Sequence, residues 1–214
     1  MTSATLTPYL DGAKALHIGA SSQFGAPRIA VEHIGAGPLV MFLHGIGGDR
    51  STWAHQMTAF AANGYCAAAW DTRGYGDSDD YDGALSFTDI ADDLARVLDA
   101  FAVNRAHIVG TSMGGRISLE FYANHPDRFA TLTLAGVHAR FGAFSPEAQR
   151  QFVDARRKPL IEDGLDPADI APAVIGKLAG PNAPDDARTR AIAAMARLHK
   201  HSYIKTVEAT TQFD

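Results

Sequence analysis

The sequence predicts an α/β fold: a mostly parallel sheet with helices on both faces, followed by a helical lid. Three observations carry this expectation. Short apolar runs at Leu39–Leu43, Tyr65–Trp70 and Ala106–Val109 alternate with segments of helical character. Glycine-rich stretches follow each of these runs. Beyond Ala135 the pattern changes to helix-start signals with no further strand-like run.

Taken in order, Arg28–Ile34 alternates apolar and polar residues, as a half-buried strand does. Leu39–Leu43 (LVMFL) is apolar throughout, which suits an interior strand covered on both faces. Ser51–Ala62 follows as a helix, with Ser51 as its expected N-cap and Asn63-Gly64 as its stop. Tyr65–Trp70 is a third buried run, and 71–83 is a polar, glycine-rich loop. Ser86-Phe87-Thr88-Asp89 resembles a capping box. Ile90, Leu94, Val97, Leu98 and Phe101 then form one apolar stripe of an amphipathic helix. Ala106–Val109 is a short strand, Ser112–Asn124 a helix and Thr131–Ala135 another strand. Ser145-Pro146, Asp166-Pro167 and Pro184-Asp185 each start a helix, giving about four helices after Val137. The expected division is a sheet-based core at 1–136 and a helical lid at 137–214.

Composition removes several function classes. At 214 residues the chain suits one domain with a substantial core. With 19 Lys and Arg against 24 Asp and Glu, and a basic run no longer than Arg156-Arg157-Lys158, nucleic acid is not an expected partner. Cys66 is the only cysteine, so no disulfide forms within the chain, which suits a reducing compartment. No basic, then apolar leader opens the sequence, and no run reaches the ~18 residues that span a bilayer. The expectation is a cytoplasmic protein without a membrane partner.

The chemistry centres on AHIVGTSMGG, residues 106–115, in which Ser112 stands between Gly110 and Gly114 where a strand turns into a helix. Glycines at those places remove the side chains that would collide in a sharp turn, and the turn lifts the hydroxyl clear of the sheet. The following helix contributes unpaired N–H groups at its positive end. A serine serving only as an N-cap needs no glycine on either side. The second motif is FLHGIGG, 42–48. Acyl transfer needs two fixed donors for an oxyanion, and the backbone N–H groups of Met113 and Ile46 stand where such donors are required. Gly45, Gly47 and Gly48 let that loop approach a ligand, and His44 supports it from beneath.

With these motifs the chain resembles the α/β-hydrolase superfamily, in particular 3-oxoadipate enol-lactonases and related small esterases. The resemblance rests on FLHGIGGDRSTW, on WDTRGYGDS at 70–78, on GTSMGG and on NHPDR at 124–128. It implies a serine hydrolase that forms an acyl-enzyme at Ser112 on a small ester or lactone, with no cofactor and no metal. It also implies an acid and a histidine, each following a strand after the lid. Neither strand is expected up to Asp214, so the acid and histidine are expected beyond that residue. The resemblance does not separate esterases from carbon–carbon bond hydrolases or cofactor-free haloperoxidases.

Within the sequence, His138 is the best-placed substitute base, because the strand ending at Ala135 should finish near the serine. His199 and His201 read as solvated side chains, and Ser78–Asp89 as a solvated loop that only partly imitates a calcium site. Phe141, Phe144, Phe152, Met195 and Leu198 are expected to line an apolar pocket under the lid. The rival reading is a non-catalytic ligand-binding module, or a fragment completed by a second chain. An uncovered edge at Thr131–Ala135 suits a homo-oligomer or a complementing C-terminal chain.

Overall fold

The computed structural model describes residues 6–20, 26–138 and 144–213. Six strands form one sheet: β1 (Lys14–Ile18), β2 (Ile29–Ile34), β3 (Leu39–Leu43), β4 (Cys66–Trp70), β5 (Ala106–Thr111) and β6 (Phe129–Ala135). Their spatial order is β1-β2-β4-β3-β5-β6. The β1–β2 and β2–β4 pairs are antiparallel, and β4–β3, β3–β5 and β5–β6 are parallel. The fold is therefore α/β with a mixed, mostly parallel sheet. β1 is an addition to the sequence reading: KALHI carries one buried position, Ile18, and gives too weak an alternation to stand out.

Alternation along the strands explains why LVMFL contains no polar residue. Leu39, Met41 and Leu43 face one side with Trp70 and Ile108, where α2 (Phe87–Ala100) and α3 (Met113–Asn124) pack. Val40 and Phe42 face the other side with Ala67, Ala69 and Met57 of α1 (Ala54–Ala62). The predicted stripe of α2 is confirmed: Ile90, Leu94, Val97 and Leu98 are fully buried, and the Ser86 hydroxyl accepts the Thr88 N–H. The start of the preceding helix is different. A 3₁₀ turn, Arg50–Trp53, precedes α1, and its cap is Asp49, whose carboxylate accepts the Ser51 N–H; Ser51 is not the N-cap. The same Asp49 carboxylate also accepts from the Ser51 hydroxyl, which removes Ser51 from that role.

After β6 the described elements are helices: α4 (Pro146–Arg157), a π turn (Lys158–Glu162), α5 (Pro167–Leu178), α6 (Asp185–Ala196) and α7 (Lys200–Gln212). Ser145 caps α4 and Asp166 opens α5 with a reciprocal capping box, as their sequences predict. Tyr203, Ile204 and Val207 of α7 join the same apolar cluster as α2 and α3. β6 lies at the sheet edge and is largely exposed, with Leu134 at 42%.

Candidate active site

The parallel strands β3, β4, β5 and β6 end on one side of the sheet, so the loops after them converge there. Ser112 is the pivot between β5 and α3. Its backbone takes φ 50° and ψ −113°, one of two positive-φ non-glycine residues described. The serine itself adopts the positive φ, and the glycines on either side allow close packing. A Cβ on Gly110 would stand 2.5 Å from the Gly114 carbonyl oxygen, and one on Gly114 would stand 2.2 Å from the Leu43 carbonyl oxygen. β5 thus folds back tightly on α3, and α3 presses on the end of β3.

That contact brings the loop after β3 against the serine: a Cβ on Gly45 would lie 3.3 Å from the Ser112 Cβ. Gly48 N–H closes a turn onto the Gly45 carbonyl at 3.0 Å, and Gly47 takes φ +84° within it. Gly115 and Arg116 N–H groups donate back to the Ser112 carbonyl, at 3.1 and 3.2 Å. Among the described residues no hydrogen-bond acceptor takes the Met113 or Ile46 N–H. Both amides are thus unspent among the described residues; Met113 follows the serine directly, and Ile46 follows Gly45 in the loop that meets it.

His44 lies fully buried beneath this loop. Its Nδ1 is 2.9 Å from the Gly45 carbonyl, and its Nε2 accepts the Thr72 N–H at 3.1 Å. Burial pulls the imidazole below its ordinary range, which suits a neutral ring donating from Nδ1 and accepting at Nε2. His44 thereby ties the loop after β3 to the one after β4.

The loop after β4 holds a buried ion cluster that sequence reasoning did not find. Asp71 is fully buried, pairs with Arg50 Nη1 and accepts the Arg50 and Asp77 N–H groups, at 2.8 and 2.9 Å. Arg50 Nη2 reaches Asp77 at 2.6 Å, and Glu32 lies 3.5 Å from its Nε. A Cβ on Gly76 would touch the Asp71 carboxylate at 2.3 Å, so the glycine of GYGDS makes room for that anion. The only sequence signal was WDTRGYGDS itself, because the paired residues lie up to 27 positions apart.

Two further expectations are corrected here. The 78–89 loop is not simply solvated. Ser78 is buried, its hydroxyl donates to the Asp71 carbonyl and accepts the Ala30 N–H, and Asp79 pairs with Arg28. Nor is His199 solvated. Its Nδ1 lies 3.0 Å from Asp80 and its Nε2 3.0 Å from the Gly76 carbonyl, while Ser202 also bonds Asp80. The start of α7 engages these side chains, a long-range pairing that local polarity conceals. Among the described residues no group of three or more His, Cys, Asp or Glu side chains is arranged to hold a metal ion.

His138 is exposed, and its ring meets Phe144 edge-on at 5.9 Å, while its carbonyl accepts from Arg116. Among the described residues no histidine or carboxylate is hydrogen-bonded to the Ser112 side chain. The expected apolar pocket is not built as predicted either. Met195 and Leu198 are packed in the core, Phe152 is partly buried against it, Phe144 is 41% exposed, and Phe141 lies outside the described residues.

Residues 38–168 match the family described as the alpha/beta hydrolase fold. The chain is 36% identical over 135 residues to "Epoxide hydrolase 2" of Siraitia grosvenorii, covering 62% of this chain and 42% of that protein. It is 35% identical over 130 residues to "Putative carbamate hydrolase RutD" of Azorhizobium caulinodans, covering 61% and 47%. The chain thus spans less than half the length of these two relatives. Among solved structures it is similar to a thermophilic esterase from Thermogutta terrifontis, with a TM-score of 0.80 and 24% identity over 94% of this chain and 73% of that one. An enol-lactonase from Burkholderia xenovorans gives 0.71 and 22%, over 88% and 72%. The family match spans more than half of the chain and includes both the Ser112 turn and the His44 loop, so the chain belongs to the α/β-hydrolase fold family.

Proposed function

We propose that this chain carries the nucleophile and oxyanion site of a serine hydrolase acting on a small ester or lactone. The observation that carries the reading is Ser112: a serine held at φ 50° between two closely packed glycines, beside two unspent amide donors. In this reading the Ser112 oxygen attacks the substrate carbonyl carbon, and its proton passes to a base. The Met113 and Ile46 N–H groups hold the oxyanion. The base then protonates the departing alkoxide, and water releases the acyl group by the same route. No side chain among the described residues is hydrogen-bonded to Ser112 as that base; in this reading an imidazole held by an acid takes that part.

Helices α4 to α7, within 137–214, act as the lid over the core of 1–136. The relatives named as epoxide and carbamate hydrolases and the esterase fold support hydrolysis as the class of reaction. Among the described residues no helix is long and apolar enough to cross a membrane. The test is turnover of 4-nitrophenyl acetate, together with labelling by a fluorophosphonate. Both should occur in the intact protein and vanish in Ser112→Ala; labelling that persists in the variant would overturn the assignment. The binding-module reading is favoured only by the lack of a base beside Ser112. It predicts no labelling even in the intact protein.

A further inference from the structure

A cavity of about 220 Å³ lies among α4, the π turn, α5 and α7, and none of the residues around it belongs to the Ser112 turn or the His44 loop. Pro159, Ile170, Val174 and Leu178 form its walls, and Tyr203 lines it from α7. Ala155 and two cations, Arg156 and Lys177, complete the lining, which includes no carboxylate. Leu178, 68% exposed, sits at the end of α5 and leaves this side open to solvent.

The two cations distinguish this cavity from an ordinary gap between helices. Arg157, Arg190 and Arg197 each have an acidic partner, but among the described residues neither Arg156 nor Lys177 forms a salt bridge. Arg156 is half-buried. Its guanidinium lies 3.5 Å from the Phe152 ring centroid and donates to the Phe152 carbonyl at 2.9 Å, with the Tyr203 phenol in the same lining. These are neutral groups. Burial without an anion pulls the guanidinium below its ordinary value and pushes the Tyr203 phenol up. A partly desolvated guanidinium beside an unpaired ammonium is stabilised by an arriving anion, and a carboxylate suits the guanidinium fork. The apolar walls call for more than a bare anion. At ~30 Å³ per water-sized group, the volume holds roughly seven such groups, the scale of a medium acyl chain.

We infer that this lid cavity is a binding site for amphipathic monocarboxylates, with the carboxylate on Arg156 and Lys177 and the apolar tail against Ile170, Val174 and Leu178. The site is separate from the Ser112 reading and stands without it. Isothermal titration of the full chain with octanoate tests it, with 1-octanol and octylamine as controls. Octanoate should bind, and both controls should bind at least roughly tenfold more weakly. Lys177→Glu, at an exposed position, and Ala155→Trp, which fills the cavity, should each weaken octanoate at least tenfold, whereas Ser112→Ala should leave it unchanged. Thermal melts confirm that each variant is folded, and Lys177→Gln serves if the charge reversal is not. Equal affinity for octanol, or unchanged octanoate binding in a folded Lys177→Glu or Ala155→Trp variant, overturns the proposal. So does loss of binding in Ser112→Ala, which would assign the octanoate to the serine.

Discussion

Arg197, the residue that ends α6, places its guanidinium on the carboxylate of Asp49 in the loop after β3. Asp49 is almost completely buried, and its other oxygen accepts the Ser51 N–H at 2.9 Å. Both Arg197 and Arg50 stand over the Tyr9 ring, at 5.0 and 4.5 Å. One carboxylate thus caps a 3₁₀ turn and anchors a helix nearly 150 residues away, only one position beyond the Gly47-Gly48 turn.

Arg197→Met should therefore destabilise the fold by about 1–3 kcal/mol, because it leaves the Asp49 carboxylate buried with only one side satisfied. The lower part of that range applies because the arginine is itself 39% exposed and water screens the pair. Urea unfolding measures the loss. Adding Asp49→Asn should recover part of it in a double-mutant cycle, and strictly additive effects would show that the two groups do not act together.

The Ser112 conformation makes a second prediction about stability. A side chain at φ 50° and ψ −113° carries strain of order 1–3 kcal/mol, which glycine does not. Ser112→Gly should raise the unfolding midpoint relative to Ser112→Ala, while both abolish any ester turnover. A glycine variant less stable than the alanine variant would mean that the turn is unstrained.

The sheet was legible from the sequence wherever burial on both faces left unbroken apolar runs, as at Leu39–Leu43, and α2 wherever one face was buried. β1 was not, because an edge strand with one buried position shows little alternation. At the site, the turn around Ser112 was legible because GTSMGG is local. The Arg50–Asp71 and Arg197–Asp49 pairs were not, since nothing local states which distant cation meets a buried carboxylate. Asp80 was read as solvated for the same reason: its partners, His199 and Ser202, lie about 120 positions downstream.

Two glycines of the site should respond very differently to alanine. A methyl on Gly114 would stand 2.2 Å from a backbone oxygen of Leu43, and backbone cannot swing aside as a side chain would. Gly114→Ala should cost about 3 kcal/mol or more, or prevent folding. Gly47 has φ +84° but meets nothing within 4 Å, so Gly47→Ala should cost only about 1 kcal/mol. Thermal melts of the two variants compare them directly, and equal losses would mean that the Gly114 contact relaxes.

The buried Asp71 sets a pH dependence whose sign follows from its surroundings. Burial, and to a smaller degree Asp49, push its carboxyl up to about 6, against the opposing pull of Arg50 and two backbone N–H groups; in an unfolded chain it titrates near 3.8. The folded state therefore holds this proton more tightly. Its contribution is fully present below pH 3.8 and is lost as the pH rises through about 6. The range is on the order of 2–3 kcal/mol. Asp71→Asn removes the titration but keeps the size and one acceptor, leaving Arg50 to Asp77 and Glu32. Urea unfolding of both proteins from pH 4 to 7.5 should show the wild type gaining stability over the variant as the pH falls. A gap that widens as the pH rises would mean that the Arg50 pair outweighs burial and keeps Asp71 ionised throughout.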